Sequence, residues 1–475
     1  MSPVQRRADP RNGSGLFALV ALALAVALVS VAAAIWWRPA LYATGLWVDG
    51  GSPTVSPPLF DDPSSPASQQ GKGGVIGPAT PAPSSTPLDG KALTTALAAV
   101  PAEDVGTTAG MVLDAASGET LWQSRSTQNL VPASTLKILT CAAALDVLGP
   151  HKRFSTSVVQ ASPERIILVG GGDPFLASKH AKGHSEPQTS AELAARTAAA
   201  LKKQDVTTVT LGYDDKLFTG PAWHPSWPEG YHDQVTTVSS LWIDKGRPSQ
   251  KEEPSRTPAV AAATVFAAQL KAQGITVKGK PASAAANAHA RPLASVQSLP
   301  LSSIVQEVLV HSDNAAAEVL LRHVGLATGH GASFAGGAKG VQERALALAP
   351  GSPEPKIADG SGLSRSNALS AQLLAGVLHK AATTPKLAPL LEGMPVAGVS
   401  GTLTMRFHTP ESEAGRGVVN AKTGTLSKVS TLAGFTRTRS GNPVVFALLA
   451  NNPTQEWNVR SWLDQMSTTI ATCDC

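Results

Sequence analysis

The sequence predicts an α+β protein in which both ends of the globular region contribute to one sheet, with a second domain inserted between them. Three observations support this: a hairpin pattern and a helix near each end, a middle stretch of different texture, and a length of 475 residues. That length exceeds what one hydrophobic core usually supports. We therefore expect two folded units together with non-globular segments.

Composition narrows the class of protein. Hydrophobic residues make up 43% of the chain and charged residues 15%, which is typical of a globular protein. The formal charge of +5 comes from scattered basic residues, so we predict no nucleic-acid partner. Three cysteines define no metal-binding spacing, and we predict neither a metal nor a cofactor.

The N-terminal part predicts a membrane anchor. Residues 15–37 carry no charge and are long enough to cross a bilayer as one helix. Arginines precede this run, whereas only Arg38 follows it before Lys72, so we expect residues 1–14 to be cytoplasmic and the body extracytoplasmic, on the cell membrane. Secretion after signal-peptide cleavage near Val31–Ala34 is the alternative. Residues 49–88, rich in Pro, Ser and Gly, are typical of a linker.

The globular region begins near residue 89 with a short helix and a hairpin. Its strands are Ala109–Leu113 and Glu119–Gln123, joined by a turn-forming segment. A helix follows Pro132 and ends at Gly149. We assign residues 89–152 to the main domain.

The C-terminal part repeats this arrangement and completes the main domain, residues 299–475. A second hairpin joins Ser430–Thr438 to Val444–Ala450. A closing helix then presents one apolar face, formed by Val459, Trp462, Leu463, Met466 and Ile470.

Residues 153–298 are interpreted as the inserted domain. Strand-like pieces occur at Ser155–Val159, Arg165–Val169 and Val206–Leu211. One helix, Ala259–Gln273, follows a Thr-Pro pair and stops before a glycine.

Three short motifs carry the candidate chemistry, and the first is Ser134-Thr-Leu-Lys137. Residues three apart on a helix share a face, so Lys137 can reach the Ser134 hydroxyl. Lysine acts as a base only when its pKa is depressed, and we expect burial and the positive charge of Lys422 to depress it. Ser134 is then the predicted nucleophile of a covalent acyl transfer.

The other two motifs predict residues that handle the substrate. In Ser312-Asp-Asn314, between two helical runs, Ser312 can relay a proton to a leaving amine and Asn314 can orient Lys137. In Lys422-Thr-Gly-Thr425, an edge strand of small residues lets the backbone approach a substrate, and its side chains can bind a carboxylate. The predicted substrate-binding residues are Lys422, Thr423, Gly424 and Thr425, and the N–H groups of Thr425 and Ser134 form the expected oxyanion hole.

Together, in this order, the motifs form the set found in penicillin-binding proteins and class A β-lactamases. The sequence resembles the class C low-molecular-mass penicillin-binding proteins, the D-Ala-D-Ala carboxypeptidase/endopeptidase family of DacB type. The supporting segments are Pro132–Lys137, Gly170–Leu176, Asp359–Asn367 and Val396–Leu403.

This resemblance implies a serine β-lactamase/penicillin-binding-protein-like fold, with an antiparallel sheet flanked by helices, a helical subdomain and an inserted domain. The main domain is then the catalytic domain. The implied substrates are peptidoglycan peptides ending in D-Ala-D-Ala, or D-Ala-diaminopimelate cross-links, and β-lactams are the implied covalent inhibitors.

Two other functions use the same fold. A β-lactamase needs a carboxylate that activates water, and Glu354, the nearest candidate, lacks the asparagine that should follow it. A catalytically silent peptidoglycan-binding protein is the second alternative, although no motif residue is missing.

Two histidine-containing clusters are given structural interpretations. The pair His180 and His184 lacks the neighbouring glutamate of a zinc peptidase, so we expect a solvated loop. The patch formed by Trp223, His224, Trp227, Tyr231 and His232 is expected to serve local packing rather than a glycan groove.

Overall fold

The computed structural model describes residues 88–181, 188–247, 253–287 and 289–474. The predicted membrane segment at 15–37 and nearly all of the predicted linker lie outside these residues. Within the described ranges no helix is both long enough and apolar enough to cross a bilayer.

A five-stranded antiparallel sheet joins the two ends of the globular region. Its strands are β1 (Thr107–Asp114), β2 (Thr120–Ser124), β9 (Asn420–Leu426), β10 (Val429–Arg437) and β11 (Pro443–Asn451). Their order across the sheet is β2-β1-β11-β10-β9. The first strand pairs with the last over its whole length, and both predicted hairpins are confirmed as β1–β2 and β10–β11.

This sheet is buried on both faces because successive side chains of its strands point into two different hydrophobic cores. Val112 and Leu448 face one core, together with helices α1 (Gly90–Ala98) and α10 (Glu456–Thr472). Met111 and Leu449, their chain neighbours, face the other core. Successive side chains of a strand point to opposite faces, so the near-continuous apolar runs of β10 and β11 fit a central position.

The second core lies in a helical region. Its helices are α2 (Leu136–Leu148), α5 (Leu301–Val310), α6 (Asn314–Ala327), α7 (Phe334–Leu348), α8 (Ala371–Ala382) and α9 (Ala388–Glu392). Helix α2 is buried around its whole circumference from Leu136 to Leu145, as expected for a helix that is hydrophobic on every side. Gly149, at φ +81°, ends it as predicted.

A second sheet occupies the chain between β2 and β9. Its strands are β3 (Ser155–Ser162), β4 (Arg165–Val169), β5 (Thr208–Asp214), β6 (Thr276–Val277), β7 (Ala282–Ser283) and β8 (Arg291–Gln297). Helices α3 (Ser190–Lys202) and α4 (Pro258–Ala272) pack on it around a third core. The predicted strands and the predicted helix within residues 153–298 are confirmed. Strand β3 pairs antiparallel with β4 on one side and with β8 on the other, whereas β4 and β5 pair in parallel.

Part of residues 153–298 packs into the helical core rather than around the second sheet. Trp227, Val235, Val238 and Trp242 belong to the same buried cluster as α2 and α6. The segment that carries them returns the chain to the main domain before α4. A boundary drawn from sequence texture does not reveal such a return, because it depends on long-range contacts.

Candidate active site

Ser134 lies in a 3-10 turn, Ala133–Thr135, directly before α2, which confirms its predicted place at a helix start. Ala133 has φ +47°, in the left-handed region that L-residues with a side chain rarely adopt. The Ser134 side chain is partly exposed, whereas its neighbours Ala133 and Thr135 are fully buried. The turn therefore presents one hydroxyl at the surface of a rigid support.

Hydrogen bonds tie this turn to the sheet. The Pro132 carbonyl accepts from Thr135 Oγ1 at 2.7 Å and from Thr431 Oγ1, on β10, at 2.8 Å. The side-chain amide of Asn451, at the end of β11, accepts from the Val131 N–H and donates to the Val131 carbonyl. The position of Ser134 is thus set by two central strands.

Lys137 is fully buried one helical turn after Ser134. Its Nζ lies 2.9 Å from Ser134 Oγ, 2.7 Å from Asn314 Oδ1 and 2.7 Å from the Ser361 carbonyl oxygen. A protonated lysine has three donors, and these contacts use all of them. When the amine is neutral, Asn314 and Ser361 can accept its two N–H groups, so its lone pair faces the Ser134 hydroxyl.

Burial depresses the pKa of Lys137, as the sequence predicted. Burial lowers its pKa to about 8, while the carboxylates of Glu318, Asp359 and Asp313 act in the opposite direction. The expected effect of the Lys422 charge on the pKa of Lys137 stays a prediction. Burial lowers the pKa of Lys422 itself well below the usual range, and the charge of Lys137 lowers it further. The two buried lysines therefore lie close enough for their charges to interact.

The second motif forms a tight turn between α5 and α6, as predicted. Ser312 has φ +54°, and Asp313 caps α6 by accepting from the Ala316 N–H at 2.8 Å. Asn314 contacts Lys137 and donates through Nδ2 to the Gln234 carbonyl at 3.0 Å. The Ser312 side chain lines the cleft, and its hydroxyl makes no hydrogen bond with the residues that the structure describes.

An ion pair holds this turn from the side of the inserted domain. Lys245 Nζ lies 2.5 Å from Asp313 Oδ2, and its ammonium also lies 4.8 Å from the centre of the Phe175 ring. Burial alone would raise the pKa of Asp313, but the charge of Lys245 holds that pKa below its ordinary value. The turn that positions Asn314 thus depends on residues on both sides of the cleft.

The third motif lies on β9, the edge strand of the first sheet, as predicted. Lys422 is fully buried and donates to the Thr423 carbonyl at 2.8 Å. Thr423 Oγ1 donates to Thr402 Oγ1, also at 2.8 Å. Thr425 is exposed. A Cβ at Gly424 would come within 2.6 Å of the Pro132 carbonyl and 3.1 Å of the Ser134 nitrogen. Glycine is therefore required where β9 passes the turn of the nucleophile.

A cleft with a volume of about 920 Å³ connects the three motifs. Ser134, Ser312, Asn314, Thr423 and Thr425 line it, whereas Lys137 and Lys422 are buried below its surface. Its charged walls are mostly basic and consist of Lys245, Arg247, Arg406 and Arg460 against Asp233 and Asp313. A cleft of this charge favours an anionic substrate such as a peptide that ends in a carboxylate.

Sequence reasoning missed the role of the loop Asp359–Ser364. This loop lies in the segment Asp359–Asn367, which supports the family resemblance, but the contact of the Ser361 carbonyl with Lys137 was not predicted. Gly362, at φ +86°, lies so close to Ala133 that a Cβ there would be 1.9 Å from the Ala133 carbonyl oxygen. The glycines of this stretch were the available signal. The contact itself could not be predicted, because a backbone carbonyl is present in every residue and no residue type indicates its role.

The remaining candidate residues lie elsewhere or pack locally. Trp227 is buried and donates to Asp359, and Trp223 stacks on His232 with ring centres 3.8 Å apart, as the packing interpretation predicted. Tyr231, from the same patch, lines the cleft instead. Glu354 is exposed and is absent from the cleft walls.

The described residues contain no group of three or more side chains suited to hold a metal ion. His180 contacts Glu192 at 3.4 Å. His184, the other member of the predicted pair, lies outside the described ranges.

Comparisons with known proteins agree with this geometry. A model of the D-Ala-D-Ala carboxypeptidase 3 (S13) family matches residues 91–256 and 243–472. A carboxypeptidase of Mycobacterium tuberculosis is 35% identical over 397 residues, which cover 81% of this chain and 84% of that protein. Carboxypeptidase DacB of Mycolicibacterium smegmatis is 32% identical over 469 residues, covering 96% of this chain and 97% of its own length.

A solved structure shows the same fold. Penicillin binding protein 4 (dacB) from Haemophilus influenzae superposes with a TM-score of 0.63 at 21% identity, over 80% of this chain and 98% of that chain. The resemblance drawn from the motifs and the α+β penicillin-binding-protein fold are both confirmed. This chain therefore belongs to the D-Ala-D-Ala carboxypeptidase 3 (S13) family and is a serine carboxypeptidase.

Proposed function

We propose that the protein removes the terminal D-Ala from peptidoglycan stem peptides through an acyl-enzyme on Ser134. The observation that carries this proposal is the contact of 2.9 Å between Lys137 Nζ and Ser134 Oγ. Burial lowers the pKa of Lys137 to about 8, so a useful fraction of the side chain is a neutral amine near neutral pH. No other base touches the Ser134 hydroxyl among the residues that the structure describes.

In the acylation step the neutral Lys137 amine takes the proton of Ser134, and Ser134 Oγ attacks the carbonyl carbon of the penultimate D-Ala. The negative charge that develops on the carbonyl oxygen is met by the backbone N–H groups of Ser134 and Thr425. Their proximity is supported by the close approach of Gly424 to the Ser134 nitrogen.

The tetrahedral intermediate then collapses and the amide bond to the terminal D-Ala breaks. The leaving amine needs a proton, which originates on Lys137 and reaches it through the hydroxyl of Ser312 at the cleft wall. The carboxylate of the leaving D-Ala binds near Thr423 and Thr425 on the edge strand. Water attacks the ester in the second step, Lys137 again accepts a proton, and Ser134 is regenerated.

The same chemistry accounts for sensitivity to β-lactams. Ser134 would open the lactam ring and keep the acyl group, because no separate leaving group departs to make room for water. The cleft of about 920 Å³ is also roomy enough for a branched peptide, so we include endopeptidase action on cross-links in the proposal.

We further propose that the protein is anchored in the cell membrane by residues 15–37, with its catalytic domain outside the cytoplasm. The uncharged sequence of this segment supports the proposal. The test is membrane fractionation after an alkaline wash, with a variant that lacks residues 1–37 as control. Recovery of a chain that has lost its N-terminal segment, outside the membrane fraction, would favour cleavage and secretion.

Mass spectrometry of the protein after incubation with benzylpenicillin tests the enzymatic proposal. A stable adduct on the peptide that contains Ser134 is expected, and the Ser134→Ala variant should carry none. Ser117→Ala, which changes an exposed turn serine of the first hairpin, is the matched control and should label normally. Rapid drug turnover without an adduct would indicate a β-lactamase, and neither adduct nor turnover would indicate a silent binding protein.

A further inference from the structure

A buried carboxylate lies below the active site and takes no part in the steps above. Glu318 is on α6, four residues after Asn314, so both side chains project from the same face of that helix. Asn314 contacts Lys137 directly. Glu318 is completely inaccessible to solvent.

The carboxylate of Glu318 is bound by backbone N–H groups instead of a cation. Its Oε1 accepts from the Ser361 N–H at 2.7 Å, and its Oε2 accepts from the Gly360 N–H at 2.9 Å. Within the described ranges no lysine or arginine forms an ion pair with it. A buried carboxylate without a cation is costly. Both of its oxygens are used here, because an N–H donor faces each of them.

The loop that Glu318 holds is the one that contacts the base and the nucleophile. The Ser361 carbonyl accepts from Lys137 Nζ at 2.7 Å, and the Gly360 carbonyl accepts from Thr140 Oγ1 at 2.8 Å. Gly362 packs against the turn that carries Ser134. Glu318 therefore binds the N–H side of a short segment whose carbonyl side faces helix α2.

Glu318 also belongs to a group of titratable residues that face Lys137 or Glu318 itself. Asp359 lies in the same loop, Arg322 one turn further on α6, Asp313 at the start of α6, Cys141 on α2 and Lys422 on β9. Burial and the Asp359 carboxylate raise the pKa of Glu318 to about 8. Where Glu318 is ionised, its charge raises the pKa of Lys137, against the effect of burial.

We propose that Glu318 is a positioning residue for Lys137: its carboxylate holds the Gly360–Ser361 backbone so that the Ser361 carbonyl meets the lysine. This inference rests on the proposed function, because it assigns Lys137 the role of base. Helix α6 then acts on Lys137 twice, directly through Asn314 and indirectly through Glu318.

The test compares Glu318→Gln and Glu318→Asp with the parent protein. The second-order rate constant for acylation by benzylpenicillin is measured across a pH range that brackets 8. Glu318→Gln removes the charge and turns an acceptor into a donor that faces the backbone N–H groups, so the plateau rate should fall by about 10- to 100-fold. The inflection of its pH profile should also move to lower pH, because Lys137 loses a negative neighbour.

Glu318→Asp separates the effect of the charge from the effect of the side-chain length. Aspartate keeps the charge but is one methylene shorter, so acylation should be slower while the inflection does not move to lower pH. The matched control is Glu343→Gln on α7, where the side chain contacts His330 at the surface. This control should keep the parent rate and the parent profile.

The proposal would be overturned if Glu318→Gln kept the parent rate, or if its rate fell only in proportion to its thermal stability while the inflection stayed that of the parent. If that variant does not fold, Glu318→Asp decides: a parent-like rate would also overturn the proposal. A parent protein that benzylpenicillin does not acylate would contradict the proposed function instead.

Discussion

Replacing Gly424 by alanine tests whether the edge strand must lie as close to the nucleophile as the structure shows. The added Cβ would lie 2.1 Å from Thr431 Oγ1 and 2.6 Å from the Pro132 carbonyl oxygen, whereas real Cβ contacts essentially never fall below 3.0 Å. Thr431 cannot rotate away without losing its hydrogen bond to Pro132. Strand β9 must therefore retreat from the turn of Ser134 by about 1 Å.

Two magnitudes follow from this retreat of β9. Overpacking of this kind costs about 1–3 kcal/mol of the free energy of unfolding. A displacement of about 1 Å in a reacting constellation lowers a rate by about 100-fold. We therefore expect Gly424→Ala to be folded but acylated by benzylpenicillin about 100-fold more slowly, because Thr425 moves away from Ser134.

The assay is the rate of adduct formation by mass spectrometry, together with urea unfolding of the same preparation. Gly376→Ala is the matched control, because its Cβ would meet the Ala349 Cβ at 2.7 Å in the helical core, outside the active-site cleft. The control should lose stability and keep its acylation rate. Acylation of Gly424→Ala within about threefold of the parent would refute the reasoning.

Three further predictions concern protonation and the two sides of the cleft. Because Lys137 must be neutral and its pKa is lowered to about 8, the acylation rate should rise with pH and level off above about 8, as a stopped-flow pH profile would show. Lys245→Met should lower the free energy of unfolding by about 1–3 kcal/mol, between the values for exposed and buried pairs. Urea unfolding should show that this loss of free energy is smaller at acid pH. The pKa of Asp313 is depressed in the folded state, so the ion pair stabilises the protein only while Asp313 is ionised. Trp227→Phe removes a donor to buried Asp359 at 2.9 Å, and thermal unfolding should show a loss of about 1–3 kcal/mol.

Much of the local structure could be predicted because it depends on neighbouring residues. Both hairpins, the helix after Ser134 and the helix of the middle region were found by periodicity and by Gly and Pro signals. The return of Trp227 and Trp242 to the helical core was not found, because burial against a distant helix leaves no periodic pattern.

The candidate site likewise contains contacts that the sequence predicted and electrostatic effects that it did not predict. The spacing of Ser134 and Lys137 along one helix turn placed them in contact, and the structure brings Asn314 to the same lysine. The carboxylates of Glu318, Asp359 and Asp313, which oppose the effect of burial on Lys137, were not predicted, because their distances to the lysine exist only in the folded chain.

The sequence by itself determined the family, the α+β architecture and the identity of the reactive side chains, because each of these is encoded in residue types at fixed short spacings. The tertiary structure alone decided which backbone groups complete the site. The Ser361 carbonyl and the N–H groups that bind Glu318 are backbone groups that nearly all residue types share, so only their positions in space give them a role. The tertiary structure also sets the pKa of Lys137, because burial and the distances to other charges exist only once the chain has folded.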